Sequence, residues 1–251
     1  MFSEIEPSPR YRQLLELYKL MHGHGVSRRS GNEVIDVAAH NTFLGRGIFR
    51  HINSIRTLIQ VSGSISILDY GSGKGVQYTD DVLRNGKKVS NSLHEYWKVQ
   101  DVACFDPGIS DEDDALDKKY DGVIATNVLD LIPEEDLKWV VERLFSRANK
   151  FVFCNVADFP SPTSLPSGEN ARVTKRSSLW WRALFAEANK KHPEINYCIA
   201  FGTRRKKSDG EIVENTGYLH NCQDLSMPGE KYASPVGKDP KEKSVTARED
   251  D

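Results

Sequence analysis

Ile67-Leu68-Asp69-Tyr70-Gly71-Ser72-Gly73-Lys74-Gly75 is the stretch on which the reading of this chain turns. The apolar run Ile65 to Tyr70 has the length and composition of a buried strand, and it ends in a cluster of three glycines. An apolar strand that leaves a sheet through a glycine turn brings backbone close to a ligand, because glycine carries no Cβ. Two familiar loops of this kind fail here. A dinucleotide fingerprint requires Gly-x-Gly-x-x-Gly, and its last position holds Val76. A phosphate-binding P-loop requires glycine five residues before the Gly-Lys pair and Ser or Thr after it, where this chain has Leu68 and Gly75.

Downstream of this loop, short apolar runs alternate with amphipathic segments. Val102–Phe105 closes on Asp106-Pro107-Gly108, and Tyr120–Thr126 has Val123, Ile124 and Ala125 at its centre. A helix start follows, with Pro133 at its first position and Glu134, Glu135 and Asp136 at its positive end. Its apolar stripe is Leu137, Val140, Val141, Leu144 and Phe145, the spacing of a helix lying on a sheet. Phe151–Val156 is a fourth strand, and a Pro/Ser/Gly-rich loop, Asp158 to Ser177, leads to a helix around 179–190. Ile195–Phe201 and Glu211–Glu214, joined by a basic turn, form an expected antiparallel pair. Strands alternating with helices predict an α/β fold: a mostly parallel, twisted sheet with helices on both faces and a C-terminal antiparallel hairpin.

Upstream, residues 1–62 are expected to form a helical extension. Tyr11, Leu14, Leu15, Leu17 and Tyr18 share a helical side before a glycine-rich break at His22–Gly25. Ser27–Gly31 is expected as a polar loop, and Ile48, Ile52, Ile55 and Ile59 recur at helical spacing. His22 and His24 have no nearby Cys or carboxylate at ligand spacing, so they belong to a loop and no metal is expected. The main domain is expected over 63–224. Residues 225–251, with Pro228, Pro235, Pro240 and many charges but few large apolar residues, are expected to be a disordered tail.

Composition excludes several classes. In 251 residues, 34 Lys and Arg face 36 Asp and Glu, so the net charge is -2 and a generally basic nucleic-acid footprint is lacking. The mean hydropathy is -0.53, and no apolar run approaches the ~20 residues that span a bilayer, so no membrane partner is expected. The polar start with Pro7 and Pro9 is unlike a signal peptide, which makes a cytoplasmic protein the expectation. Cys104, Cys154, Cys198 and Cys222 form no Cys-x-x-Cys pair; three lie in apolar runs and are expected as reduced core thiols.

Asp69, Gly71, Gly73 and Gly75 resemble the first motif of the class I S-adenosylmethionine-dependent methyltransferases, apolar-apolar-Asp-x-Gly-x-Gly-x-Gly. The resemblance implies their Rossmann-like fold and S-adenosyl-L-methionine as cofactor. It also implies a loop around the cofactor's amino acid part and a strand-end acid near its ammonium. A second acid is implied at the end of the next strand, hydrogen-bonded to the ribose. Asp106 fits that place, and a carboxylate can accept two hydroxyl donors at once; read alone, it is also a turn Asp before Pro-Gly. The interval from Asp69 to Asp106 exceeds the roughly twenty residues of dinucleotide folds, which points to an insertion around 87–98. The run Tyr120-Asp121-Gly122-Val123-Ile124-Ala125-Thr126-Asn127-Val128-Leu129-Asp130-Leu131-Ile132-Pro133 is similar to the family's fourth-strand motif. Together these imply cofactor contacts at Asp69, Tyr70, Gly71, Ser72, Gly73, Lys74, Asp106, Pro107, Asn127 and Val128.

Two departures stand out. Asp130-Leu131 replaces the family's Glu-His pair, which leaves no catalytic base assigned. The short link from Asp106 to Asp121 implies that the helix and third strand between them are shortened or missing. From about Ile65 to Trp181 the chain also resembles a narrower bacterial and phage-borne methyltransferase group, through Gln77-Tyr78, Asp106-Pro107-Gly108, Leu165-Pro166, Gly168, Asn170-Ala171 and Trp180-Trp181. Arg172 stands where a His is expected.

The loop Asp158–Ser177, longer than a plain connection, is expected to be a two-position lid. Asn170, Arg172, Trp180 and Trp181 are its candidate acceptor contacts, with Arg172 suited to a carboxylate or phosphate. The expected function is transfer of a methyl group to an O or N of a small molecule. A non-catalytic cofactor-binding or sensor protein and an RNA methyltransferase are the alternatives; Arg204-Arg205-Lys206-Lys207 is read as a solvated turn, not as an RNA site.

Overall fold

The computed structural model describes residues 2–31, 33–110 and 114–222, and the backbone alone of 232–233. Of the disordered tail expected over 225–251, Tyr232–Ala233 instead pair as a two-residue strand antiparallel to Leu83 and Arg84; the rest of it and most of the acidic run 111–114 lie outside the described residues.

The chain opens with α1 (Pro9–His24), whose start follows local rules: Ser8 accepts the Tyr11 N–H (2.9 Å) and Pro9 takes the first turn. The Ser8 N–H donates in turn to Asp136 Oδ1 (2.9 Å), which ties this helix to the first turn of the helix that begins at Glu134. The helix runs through Gly23 and stops at Gly25, the last residue of the expected break, so His22 and His24, expected in a loop, lie in its last turn. β1 (Val26–Ser30) and β2 (Glu33–Val37) then form a hairpin. That overturns the loop expected over 27–31: the sequence there is polar at nearly every position and carries no alternation, yet it pairs. α2 (Ile52–Ser62) buries Ile52, Ile55, Leu58 and Ile59 and closes on Gly63 in the left-handed conformation.

The central sheet begins with β3 (Ser66–Tyr70). The segment after it carries β4 (Val82–Arg84) and β5 (Lys87–Ser90), turned by left-handed Asn85 and Gly86, and then α3 (Leu93–Trp97). This accounts for the long interval between the two acids. β6 (Asp101–Phe105) leads to β7 (Tyr120–Thr126) through a link whose described part holds one 3-10 turn, Asp114–Leu116, and no strand. α4 (Glu134–Arg147), β8 (Ala148–Ala157), the short β9 (Thr163–Ser164), α5 (Ser178–Asn189), β10 (Asn196–Lys206) and β11 (Ile212–His220) complete the order.

The fold is α/β. Six strands run in the order β11-β10-β8-β7-β3-β6, with every pair parallel except β10–β11. The arrangement is compatible with a Rossmann-like fold. β3 is an interior strand, with β6 beside it at the edge. Alternate residues feed two cores, as expected of parallel strands buried on both faces. Leu68, Val123 and Val152 meet α4 and α5 on one side. Ile67, Ile124 and Phe151 meet α2 and α3 on the other. Among the described residues no helix is long and apolar enough to cross a membrane.

A third, smaller cluster sits above the carboxyl ends of the strands. Leu14 and Met21 of α1 pack with Leu165 and Ala171 of the 158–177 loop, flanked by Phe43 and Leu131. β9, within that loop, pairs with β1 to make the separate sheet β2-β1-β9. The N-terminal segment and the loop therefore form one cap.

Candidate functional site

The strand order reverses around β3: the chain moves from β3 outward to β6, then returns to β7 on the other side. In open α/β sheets the crevice at such a point, at the carboxyl ends of the strands, is where ligands bind. The glycine loop emerges there. Gly71, Gly73 and Gly75 all have positive φ, at 76°, 62° and 69°. A side-chain carbon on Gly71 would overlap Val128, and one on Gly73 would overlap the Phe43 carbonyl, so both positions need glycine twice over.

Asp69 lies fully buried beneath this loop. Its Oδ2 accepts from Gln77 Nε2 (3.0 Å) and the Tyr78 hydroxyl (2.9 Å). Its Oδ1 and the neighbouring Gln77 Oε1 are buried acceptors without a partner. Burial pushes the Asp69 carboxyl up to about 7, while the Tyr78 and Gln77 hydrogen bonds pull it back down. Unpartnered acceptors on two residues that hydrogen-bond each other suit a ligand that brings N–H donors, above all a cationic one.

Asp106 closes the other wall. It accepts the Gly73 N–H on Oδ2 (2.7 Å) and the Gly108 N–H on Oδ1 (2.8 Å). A carboxylate has about four lone-pair sites, so acceptor capacity remains for hydroxyl donors. His22 Nε2 stands 3.6 Å from Asp106, and burial lowers the imidazole's pKa from its ordinary value, outweighing the pull of Asp106. Across the crevice, Asn127 adopts φ 58° at the end of β7. Its N–H donates to Asn155 Oδ1 (2.8 Å), and its Oδ1 accepts from Asn155 Nδ2 (2.8 Å).

Other expected contacts lie elsewhere. Tyr70 faces away, into the core against α4, where its hydroxyl accepts from Arg143 Nη1 (3.2 Å); only its backbone belongs to the site. Ser72 is buried and turned to the Gly73 carbonyl (3.3 Å). Lys74 points up into the cap: its ammonium donates to the carbonyls of Ala39 (2.7 Å) and Thr42 (3.0 Å). Pro107 lies in the tight turn after β6, where the Ile109 and Ser110 N–H groups return to the Asp106 carbonyl.

The acceptor side departs further from expectation. Arg172 is buried and its Nε donates to Asp130 Oδ2 (2.6 Å), while its Nη1 donates to the Phe159 carbonyl. Asp130 also accepts the Ala157 N–H (3.1 Å), and burial keeps its pKa raised despite the facing guanidinium. The pair is thus a structural lock between the β7 end and the loop, with the Arg172 charge already answered. Asn170 likewise staples the loop to itself, with Oδ1 accepting from the Ser161 and Arg172 N–H groups and Nδ2 donating to the Ser161 carbonyl. Trp181 is fully buried in the core, and half-buried Trp180 stands edge-on against it at 5.1 Å. An open cleft beside the loop is lined by Asn170 and Arg172, together with Arg10, Glu134, Glu169 and Arg176, and by neither Trp. Nor is the loop a free flap: it is strand-paired to β1, and the Arg29 N–H donates to the Pro162 carbonyl (2.7 Å).

Residues that local pattern did not single out complete the site. His22, Phe43, Gly45 and Gly47 arrive from the N-terminal segment, and Asn155 from β8. Gln77 and Tyr78 were read only as part of a resemblance; their placement two and three residues after Gly75 was the available signal. Cys104, expected in the core, is exposed on the edge strand β6, whereas Cys154 and Cys198 are buried as expected. No protein-family model matches this chain and no curated protein matches it, so the arrangement of Asp69, the three left-handed glycines and Asp106 is what any functional reading rests on.

Proposed function

We propose that the crevice binds S-adenosyl-L-methionine and that the chain transfers its methyl group to an O or N of a small molecule. The observation that carries this reading is Asp69: a fully buried acid with an unpartnered carboxylate oxygen, directly beneath three left-handed glycines. Asp69 and Gln77 would take the ammonium of the cofactor's amino acid part. Asp106 would accept from the ribose hydroxyls while keeping its bonds to Gly73 and Gly108, and Asn127 would border the cofactor from β7. The six-stranded sheet with its antiparallel end pair is also what the methyltransferase resemblance implies.

The bound group supplies an electrophilic methyl, so the protein's work is alignment and exclusion of water. The cap formed by α1, the 39–47 segment and the 158–177 loop provides that exclusion. Asp130 does not serve as base in this reading, because Arg172 occupies it. An acceptor that needs no deprotonation by the protein, such as a neutral amine, fits the site best.

One observation favours a second reading, a cofactor-binding protein without turnover. The Phe43 carbonyl already takes the Lys74 N–H (2.7 Å), and the candidate acceptor residues are all engaged in structure. Calorimetry with the cofactor and its demethylated product decides the binding question, and isotope-labelled cofactor incubated with metabolite extracts decides turnover. Asp106→Ala removes a charge-assisted bond and is expected to weaken cofactor binding roughly tenfold to a hundredfold. Equal affinity for wild type and variant would assign the ribose to another group; absence of binding to the wild type overturns the reading.

A further inference from the structure

Residues 39–47 lie across the mouth of the crevice, held there by polar contacts and by Phe43, which packs against the cap cluster. The Phe43 carbonyl accepts the Lys74 N–H (2.7 Å) and occupies the space beside Gly73. The Lys74 ammonium spans the segment, donating to the carbonyls of Ala39 (2.7 Å) and Thr42 (3.0 Å) and reaching the His22 carbonyl (3.4 Å) and Thr42 Oγ1 (3.3 Å). Further along, Gly45 abuts the Gln77 amide and Gly47 abuts Asn127, so that a side-chain carbon at either would overlap them. The His22 ring packs on Phe43 at 4.5 Å. The segment therefore covers the crevice from Asp106 to Asn127.

Its own apolar burial is slight. From 38 to 47 only Thr42 is buried, whereas Ile48 and Phe49, the next two residues, are core residues. The backbone makes two short 3-10 turns, Ala39–Asn41 and Arg46–Arg50, and between them Phe43 takes φ 48°, a left-handed conformation that a bulky residue adopts only under constraint. A stretch with few buried apolar groups, pinned by the Lys74 ammonium at one end and by the Arg46–Asp80 ion pair (2.6 Å) at the other, and bounded by buried Ile48 and Phe49, belongs to the low-stability end of the molecule. Its contacts are also with groups a ligand in the crevice would use: the Lys74 N–H, the space beside Gly73, and the Gln77 amide next to Asp69.

We propose that residues 39–47 form a gate over the glycine loop and that Lys74 is its latch, a positioning residue that holds the gate shut. A ligand reaches Asp69 when the segment lifts, hinging at Ile48. What passes the gate rests on the cofactor reading above; the gate itself does not.

Native-state hydrogen exchange on the full chain at increasing urea tests this in wild type and Lys74→Met. In the wild type, amides of 39–47 are expected to exchange by a local opening that urea does not accelerate, while those of α4 and β8 follow global unfolding. In Lys74→Met the 39–47 amides should exchange roughly tenfold to a hundredfold faster, from loss of the charge-assisted bonds, with α4 and β8 unchanged. A wild-type segment that shares the urea dependence of α4 overturns the gate, and this result requires no variant. Unchanged protection of the segment in folded Lys74→Met overturns the latch. Stopped-flow binding of S-adenosyl-L-methionine adds a second readout: association should be faster in the variant, because the open fraction limits entry, and equal rates count against the latch. Should the segment open as described while neither protein binds the cofactor, the gate stands and the cofactor reading falls.

Discussion

At the scale of single residues, Asp69 couples the site to pH. Its ordinary value is 3.8 and burial raises it to about 7. Between those values the folded chain holds a proton that the unfolded chain has released. Stability therefore falls as pH rises through that window. Asp69→Asn keeps the side chain neutral and is expected to flatten this slope, so that thermal unfolding of the variant at pH 5 and pH 8 differs less than that of the wild type. A wild type equally stable at both would mean that Asp69 is ionised throughout. Ligand binding carries the opposite sign: a cationic group beside Asp69 favours the carboxylate, so cofactor affinity should rise with pH up to about 7 and then level off. Calorimetry below that pH should register a proton released on binding, and Asp69→Asn should release none.

Among elements, the 158–177 loop shows how far tertiary pairing can change the meaning of a segment. Its prolines and length suit a lid, yet β9 and the Asp130–Arg172 pair bind it on two sides. Removing one member of a buried pair leaves an uncompensated charge. Arg172→Met should therefore destabilise the chain by about 3–5 kcal/mol in urea unfolding, with much of the loss recovered in Asp130→Leu/Arg172→Met. A single variant as stable as the wild type would show that Asp130 is protonated in the native state. Deleting Ser161–Gly168 removes β9 and takes Leu165 from the cap core. Binding and methyl transfer are then expected to fall together, with loss of amide protection in β1. Full cofactor affinity in the deletion protein would separate the loop from the cap.

For the whole molecule, two layers with different physics meet at one crevice. The sheet and the helices α2 to α5 are held by apolar burial on both faces, with the side chains of β3, β7 and β8 almost completely shielded. The cap has only a small apolar cluster and is joined to the sheet by hydrogen bonds, the Ser8–Asp136 contact and the Asp130–Arg172 pair. A molecule built this way opens at the cap before it loosens at the sheet. Limited proteolysis should cut within 27–47 while a fragment carrying 52–206 persists; first cleavage inside α4 or β8 would contradict that order.

The sequence alone determined the strands β3, β7 and β8, the helix α4 and the glycine loop, because each is specified by its own residues. A run buried on both faces must be largely apolar, a helix on a sheet must show its stripe, and a loop of successive left-handed residues favours glycine. Asp69 and Asp106 were legible for the same reason, as acids at the ends of recognisable strands. Only the tertiary structure decided what surrounds them. The polar residues 26–30 pair as a strand because a partner lies beside them. Arg172 is neutralised by Asp130, far earlier in the chain, and Lys74 turns from the crevice to carbonyls of the N-terminal segment. Such contacts join residues distant in sequence through shape and charge, and they leave no periodic trace in the residues that make them.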